Sequence, residues 1–188
     1  NEESHGFIKG IQWRGVVNAS QRTEMQAAQN IGQSMLGINV KCASCHNSFV
    51  SNLTLEDAYG FASVFADIPL ELNRCDMPLG VLSKVSFLNN ELGSVEAESV
   101  PERLELLAEV IVKPENGRLY RTITNRIWEQ LLGRGIIEPV DDMDKLPWDQ
   151  TILDWLSADF ISSGHDLKKL MKLIMTSKAY QFPAVHYD

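Results

Sequence analysis

The chain has 188 residues, 44% of them hydrophobic, which is enough to bury a core as one domain or as two small ones. Its formal net charge is -8, and no stretch concentrates lysine or arginine together with aromatic residues. A phosphate backbone would meet repulsion over most of this surface, so nucleic acid is not an expected partner. The apolar runs fall short of the about 20 residues that cross a bilayer, and we expect no transmembrane segment.

Helical periodicity predicts two helices in the first part of the chain, one on each side of a cysteine-rich stretch. The first begins near Ser20 and ends at Gly37, and the second begins at a capping box formed by Thr54 and Asp57. Apolar residues recur at helical spacing on one face of each helix: Ala28, Ile31 and Met35 in the first, and Ala58, Phe61, Ala62 and Phe65 in the second.

Four further helices are predicted in the second part of the chain, after a turn-rich segment over residues 66–100. Their ends carry capping residues, glycine or proline: Ser99 with Glu102, Pro114, Gly133 or Gly135, Asp149, Gly164 and Asp166. No segment alternates with period two for long enough to predict a strand. We therefore predict an all-α fold with an N-terminal piece and a C-terminal helical piece.

The stretch KCASCHNSF, residues 41–49, holds two of the three cysteines and one of the four histidines. The spacing of Cys42, Cys45 and His46 fits three chemistries: covalent haem attachment, part of a zinc site, or a dithiol redox motif. The chain also lacks a GxSxG motif, a phosphate-binding glycine loop and an HExxH motif, so hydrolysis has no candidate machinery.

Covalent haem attachment uses the motif most completely. A thioredoxin-like dithiol expects its cysteines at the end of a strand in a βαβ pattern, and none is predicted. A structural zinc site needs four ligands, and Cys42, Cys45 and Cys75 supply only three. Because Cys45 and His46 are adjacent, their side chains rarely bind one metal together. With haem c, two thiols bond to the two vinyl groups and the next imidazole reaches the iron.

Two longer stretches carry a family resemblance. The sequence AAQNIGQSMLGINVKCASCHNSFVSNLTLEDAYGFASVFAD resembles the planctomycete cytochrome c-like domain. The sequences ENGRLYRTITNRIWEQLLGRGIIEPVDDMD and ILDWLSADFISSGHDLKKLMKLIMTSKAYQ resemble the helical domain of unknown function that follows it. The resemblance implies a small cytochrome c-like haem-binding domain over residues 1–80 and a helical domain over residues 81–188. Since family chains are longer, we expect a fragment or a truncated member.

The resemblance places the haem site on Cys42, Cys45 and His46, and it assigns no catalytic residue. Trp13 and Arg14 could line the haem edge and hold a propionate, although a surface turn anchored by one tryptophan is the commoner outcome.

Asn125, Arg126, Trp128 and Arg134 lie in the most recognisable part of the helical domain. They could pack in its core or line a ligand pocket. Trp128 is most simply a core residue, while Arg126 and Arg134 most simply pair with acids such as Asp141, Asp142 or Asp159. Packing also accounts most simply for Asn125.

The sixth iron ligand is expected to be Met77, which precedes a proline in a turn-rich segment about thirty residues after His46. A gap-filling methionine in a loop is the alternative. The rival ligands are Met35, Met25, His5 and Cys75.

These expectations together favour a c-type cytochrome with one covalent haem c, acting in electron transfer with a redox partner protein. Because haem attachment and the family both imply export, we expect a periplasmic or otherwise exported location. Two alternatives stay open. One is a haem enzyme or sensor with an open sixth position, and the other is a docking module of a larger, carbohydrate-degrading assembly.

Overall fold

A computed structural model describes residues 18–88 and 90–183. In these residues the chain forms seven α-helices: α1 (Thr23–Leu36), α2 (Leu55–Ala62), α3 (Val100–Val112), α4 (Gly117–Leu132), α5 (Gln150–Ser162), α6 (Leu167–Met175) and α7 (Lys178–Gln181). Two strands, β1 (Glu71–Arg74) and β2 (Met77–Leu82), lie between α2 and α3. None of the helices in this part of the chain is both long and apolar enough to span a lipid bilayer.

The β-hairpin shows that the predicted all-α fold is wrong, although helices dominate. Strands β1 and β2 pair antiparallel, with Arg74 opposite Met77 and Glu71 opposite Leu82. The register shifts between Glu71 and Asn73, which marks a bulge or irregularity. Cys75 and Asp76 form the two-residue connection between the strands.

Sequence patterns do not predict the hairpin, and the reasons lie in the two strands themselves. Strand β1 has only four residues, and every residue of β2 is exposed, so no apolar and polar alternation marks it. Pro78 and Gly80 are also unfavourable inside strands. The sequence therefore carries no strand signal, and tertiary contacts supply the pairing.

The predicted helix ends are largely confirmed. Both capping boxes are present, formed by Thr54 with Asp57 and by Ser99 with Glu102. The side chains of Asp149 and Asp166 accept backbone hydrogen bonds at the starts of α5 and α6. Side-chain caps satisfy N–H groups that a helix start leaves unpaired, which is why short polar residues mark these positions.

Two hydrophobic clusters form the core. The first is built mainly from α1, α2, β1 and α3, and its largest fully buried side chains include Met25, Tyr59 and Phe61. The second is built mainly from α4, α5 and α6, around residues such as Tyr120 and Leu153. Side chains of α3 pack in the first cluster. The proposed division of the chain at residues 80 and 81 stays a prediction.

Asn125 organises the loop that follows α4. Its side chain is fully buried, and its amide nitrogen donates to the carbonyls of Ile137 and Val140 at 3.0 and 3.1 Å. Its amide oxygen accepts from the N–H groups of Ile136 and Ile137 at 2.7 and 2.9 Å. These bonds satisfy buried backbone groups, so the packing interpretation of Asn125 is confirmed.

Arg126 joins the two clusters at the end of α1. Its guanidinium donates to the carbonyls of Ser34 and Gln33 at 2.5 and 3.0 Å, and its Nε donates to Asp141 Oδ1 at 2.6 Å. The expected pairing of Arg126 with Asp141 is thereby confirmed. Trp128 is buried in the second cluster, as predicted. In α4, Trp128 thus packs in the second cluster and Arg126 connects the two clusters.

Gly37 ends α1 at the same junction. Its φ of 58° lies in the left-handed region, and its carbonyl accepts from the N–H of Met143 at 2.7 Å. A Cβ at this position would collide with Met143 Cγ and lie 2.9 Å from Thr122 Oγ1. Only glycine therefore fits both the backbone conformation and the space.

We expect Gly37→Ala to lower the free energy of unfolding by about 3 kcal/mol, from left-handed strain and overpacking together. Gly133→Ala is the matched control, because Gly133 also has a positive φ of 78° but no neighbouring atom within 4 Å of where a Cβ would lie. It should cost only about 1 kcal/mol. Urea unfolding measures both, and equal losses would contradict the close contact at Gly37.

Candidate functional site

The cysteine motif forms one helix-like turn. The carbonyl of Cys42 accepts from the N–H groups of Cys45 and His46 at 3.2 and 3.3 Å. Ala43 and Ser44, between the two cysteines, are completely buried, whereas Cys42, Cys45 and His46 are half-buried. The turn is thus anchored by its middle residues while its two thiols and its imidazole remain accessible.

Helix α1 holds this turn through Ser44. The Ser44 hydroxyl donates to the carbonyl of Lys41 at 2.7 Å and accepts from the Gln29 amide at 3.1 Å. Gln29 also donates to the carbonyl of Ser20, just before α1, at 3.2 Å. These partly buried bonds hold the motif against α1.

His46 is held with one ring nitrogen engaged. Its Nδ1 lies 2.8 Å from the carbonyl oxygen of Asn47, which can only accept, so Nδ1 carries the proton. In this tautomer Nε2 keeps its lone pair and can bind a metal. The ring of Phe49 packs against the imidazole with centroids 4.6 Å apart and an interplanar angle of 34°. These contacts orient the imidazole.

Asn47 ties the motif to α2. Its side-chain Oδ1 accepts from the N–H of Leu55, the first residue of α2, at 3.0 Å. The N–H of Ser48 donates to the carbonyl of Leu53 at 2.8 Å and closes the loop between them. The motif is therefore fixed from both sides, by α1 before it and by the start of α2 after it.

The β-hairpin turn reaches the motif from a distant part of the sequence. The N–H of Cys75 donates to the carbonyl of Cys45 at 3.0 Å, and Cys75 has a positive φ of 54°. All three cysteines are free thiols, and Cys75 is exposed. Sequence reasoning missed this contact because about thirty positions separate the two residues and no local signal links them.

Tyr59 lies buried beneath the hairpin. Its hydroxyl donates to the carbonyl of Asn73 in β1 at 3.5 Å. Burial raises the pKa of the Tyr59 phenol above its ordinary value, and the hydrogen bond to Asn73 opposes this only in part. A neutral phenol therefore favours folding below the ordinary pKa, and its contribution is lost as the pH rises through the folded pKa.

The hairpin also carries the predicted sixth ligand. Met77 is the first residue of β2, two positions after Cys75, and its side chain is 73% exposed. Of its rivals, Met25 is buried in the first cluster and Met35 is partly exposed near the end of α1. Trp13, Arg14 and His5 lie outside the described residues. The role of Met77 stays a prediction.

The zinc and dithiol alternatives can be compared with the arrangement of the described residues. Among residues 18–88 and 90–183, no three His, Cys, Asp or Glu side chains are grouped so that they could hold a metal ion. The sheet in this same part of the chain is an antiparallel hairpin, which is not the βαβ setting of a thioredoxin-like dithiol.

The donor set fits a covalently attached haem. Two accessible thiols flank a single turn, and the following imidazole keeps Nε2 free. Large apolar side chains are also exposed on both segments that meet at the motif. They are Phe49 and Val50 in the loop and Met77, Leu79, Val81 and Leu82 in β2.

A cleft of about 650 Å³ lies near this site, and sequence reasoning did not predict it. The loop over residues 50–53, just after the motif, forms part of its wall, together with Phe87, Asn116 and the ion-paired Arg118 and Asp144. Neither the two motif cysteines nor His46 lines the cleft. The motif and the cleft are therefore separate features.

Comparison with known proteins supports the resemblance in part. Residues 1–69 match the family described as PSCyt2, protein of unknown function (DUF1549), and residues 102–186 match PSD1, protein of unknown function (DUF1553). These are planctomycete cytochrome c-associated domains, and neither match is to a cytochrome c domain itself. No curated protein and no solved structure matches the chain.

We expect Asn47→Ala to lower the free energy of unfolding by about 1 kcal/mol, because the N–H of Leu55 loses its side-chain acceptor. Asn52→Ala is the matched control, since Asn52 lies exposed in the same loop. It should change stability by less than about 0.5 kcal/mol. Thermal or urea unfolding distinguishes the two, and an Asn47 variant as stable as the control would refute the link between motif and α2.

Proposed function

We propose that the chain is a c-type cytochrome that carries one covalently bound haem and acts in electron transfer. The observation that carries this proposal is the arrangement of the motif: Cys42 and Cys45 accessible on one turn, followed by His46 with Nδ1 engaged and Nε2 free. The matches to cytochrome c-associated domains are consistent with it.

The two thiols would make the covalent attachment. Each Cys would add its sulfur to one carbon of its own vinyl group and its thiol hydrogen to the other carbon, so no oxidant or reductant would be consumed. Buried Ala43 and Ser44 anchor the turn that carries the two cysteines. The bound group supplies a one-electron iron couple.

His46 would bind the iron through Nε2. The carbonyl of Asn47 holds the Nδ1 proton, and a bond of this kind fixes the ring orientation and raises the basicity of the ligating nitrogen. Phe49, which is 88% exposed, contacts the imidazole from the solvent side. The chain thus orients its proximal ligand before any haem is attached.

Attachment of this kind implies an exported, oxidising compartment, where we place the protein. An electron carrier also requires a redox partner, and we propose that one docks near the exposed apolar residues beside the motif. The helical second cluster has no assigned part in this function, although it could connect the chain to a larger polypeptide or complex.

The exposure of Met77 favours one alternative function. If neither Met77 nor one of its rivals binds, the sixth position of the iron is open, and the chain would act as a haem enzyme or sensor that binds a small ligand there. The spectrum of the reduced protein with carbon monoxide separates the two functions.

The attachment is tested by extracting the matured protein with acidified acetone. Haem should stay with the polypeptide, because thioether bonds survive denaturation. Cys42→Ala and Cys45→Ala should each leave at most one thioether link, whereas Cys75→Ala, the matched control, should retain both. Haem in the organic phase from the unaltered chain would refute the proposal.

The sixth ligand is tested by Met77→Ala, with Met35→Ala as control. If Met77 binds the iron, its replacement should open the reduced iron to carbon monoxide and lower the reduction potential, because a thioether ligand raises the potential. Met35→Ala should bind no carbon monoxide. If both variants give the spectrum of the unaltered chain, Met77 is not the ligand.

A further inference from the structure

Cys75 is the one cysteine of the chain that the motif does not use, and the fold brings it to the motif. Its N–H donates to the carbonyl of Cys45 at 3.0 Å, although the two residues are distant in sequence. Cys75 also occupies the left-handed region at φ 54°, which is uncommon for a residue other than glycine. The hairpin turn therefore holds this residue at a fixed place beside Cys45.

The backbone contact brings the two residues within reach of a disulfide. Because the Cys75 nitrogen lies 3.0 Å from the Cys45 carbonyl oxygen, the covalent geometry of the two peptide units keeps their α-carbons within about 7 Å of each other. Disulfides form when the α-carbons are roughly 4.4–6.8 Å apart. Cys42 has a backbone contact with Cys45 as well, within the same turn, so Cys45 lies between two candidate partners.

Exposure decides which thiol reacts first. Cys75 is exposed, whereas Cys42 and Cys45 are half-buried. Thiol–disulfide exchange begins at an accessible thiol and continues by attack of a neighbouring thiolate. A reagent that reacts with Cys75 first forms a mixed disulfide there. Cys45 is the cysteine whose backbone contacts Cys75, so we expect its thiolate to attack that mixed disulfide.

We propose that Cys75 and Cys45 form an intramolecular disulfide in the haem-free chain, which makes Cys75 a redox-modified residue of this site. The disulfide stands on the geometry alone. Its consequence for haem attachment rests on the proposed function.

The chemistry uses a small disulfide such as oxidised glutathione. The Cys75 thiolate attacks one sulfur of the reagent, forms a mixed disulfide and releases one glutathione thiolate. The Cys45 thiolate then attacks the Cys75 sulfur and releases the second. Two protein thiols lose two protons and two electrons in all, and the reagent gains them as two molecules of reduced glutathione.

The disulfide would control haem attachment. A Cys45 sulfur bonded to Cys75 cannot add to a vinyl group, so the thioether at Cys45 would form only after reduction by a dithiol. The Cys42 thiol would remain free throughout. Cys75 would thereby protect Cys45 from other oxidation until haem is delivered.

The test uses the full chain produced without haem, treated briefly with oxidised glutathione, alkylated, digested and mapped by mass spectrometry. We expect a peptide pair joined through Cys45 and Cys75, with Cys42 alkylated. Cys42→Ser should give the same pair in the same yield, and Cys75→Ser should abolish it. A Cys42–Cys45 pair with Cys75 alkylated, or glutathione retained on Cys75, would overturn the proposal.

A second measurement concerns the consequence alone. The oxidised chain should form the Cys45 thioether at least about tenfold more slowly than the reduced chain, because its sulfur is blocked, and treatment with a dithiol should restore the rate. If the disulfide is mapped but both forms react equally, the control of attachment is refuted and the disulfide stands. If reduced chain never attaches haem, the proposed function fails, and the peptide map still decides the disulfide.

Discussion

The position of the cysteine motif depends on how α1 ends. Arg126 donates to the carbonyls of Gln33 and Ser34 in the last turn of α1, and the N–H of Met143 donates to the carbonyl of Gly37. These bonds satisfy carbonyls that a helix end leaves unpaired. Because they come from the second cluster, they fix both the direction of the chain leaving α1 and the contact between the clusters.

From that fixed point the chain needs only a few residues to reach Cys42. Ser44 then bonds to α1 and Asn47 bonds to the start of α2, so the intervening turn has little freedom. The hairpin adds the third support through Cys75. The backbone of a motif held from three sides has little freedom to rearrange, and the proposed haem attachment would use this preorganisation.

Local features were predictable from the sequence, and contacts between distant segments were not. Capping boxes, terminal glycines and helical periodicity depend on a few neighbouring residues, so the helices and their ends could be predicted. The pairing of Arg126 with Asp141 followed from charge, but its bonds to α1 carbonyls did not. The hairpin was missed because β2 is exposed and lacks alternation, and with it the approach of Cys75 to Cys45. The motif residues could be proposed from the sequence because their chemistry lies within one short stretch of the chain, and their role stays a prediction.

The most direct test of covalent haem binding is the intact mass of the chain matured in an oxidising compartment, measured after reduction and alkylation. The sequence has three cysteines, and thioethers resist reduction. We expect the mass of the polypeptide plus one haem and a single alkyl group, located on Cys75. The mass of the polypeptide alone with three alkyl groups would contradict the account.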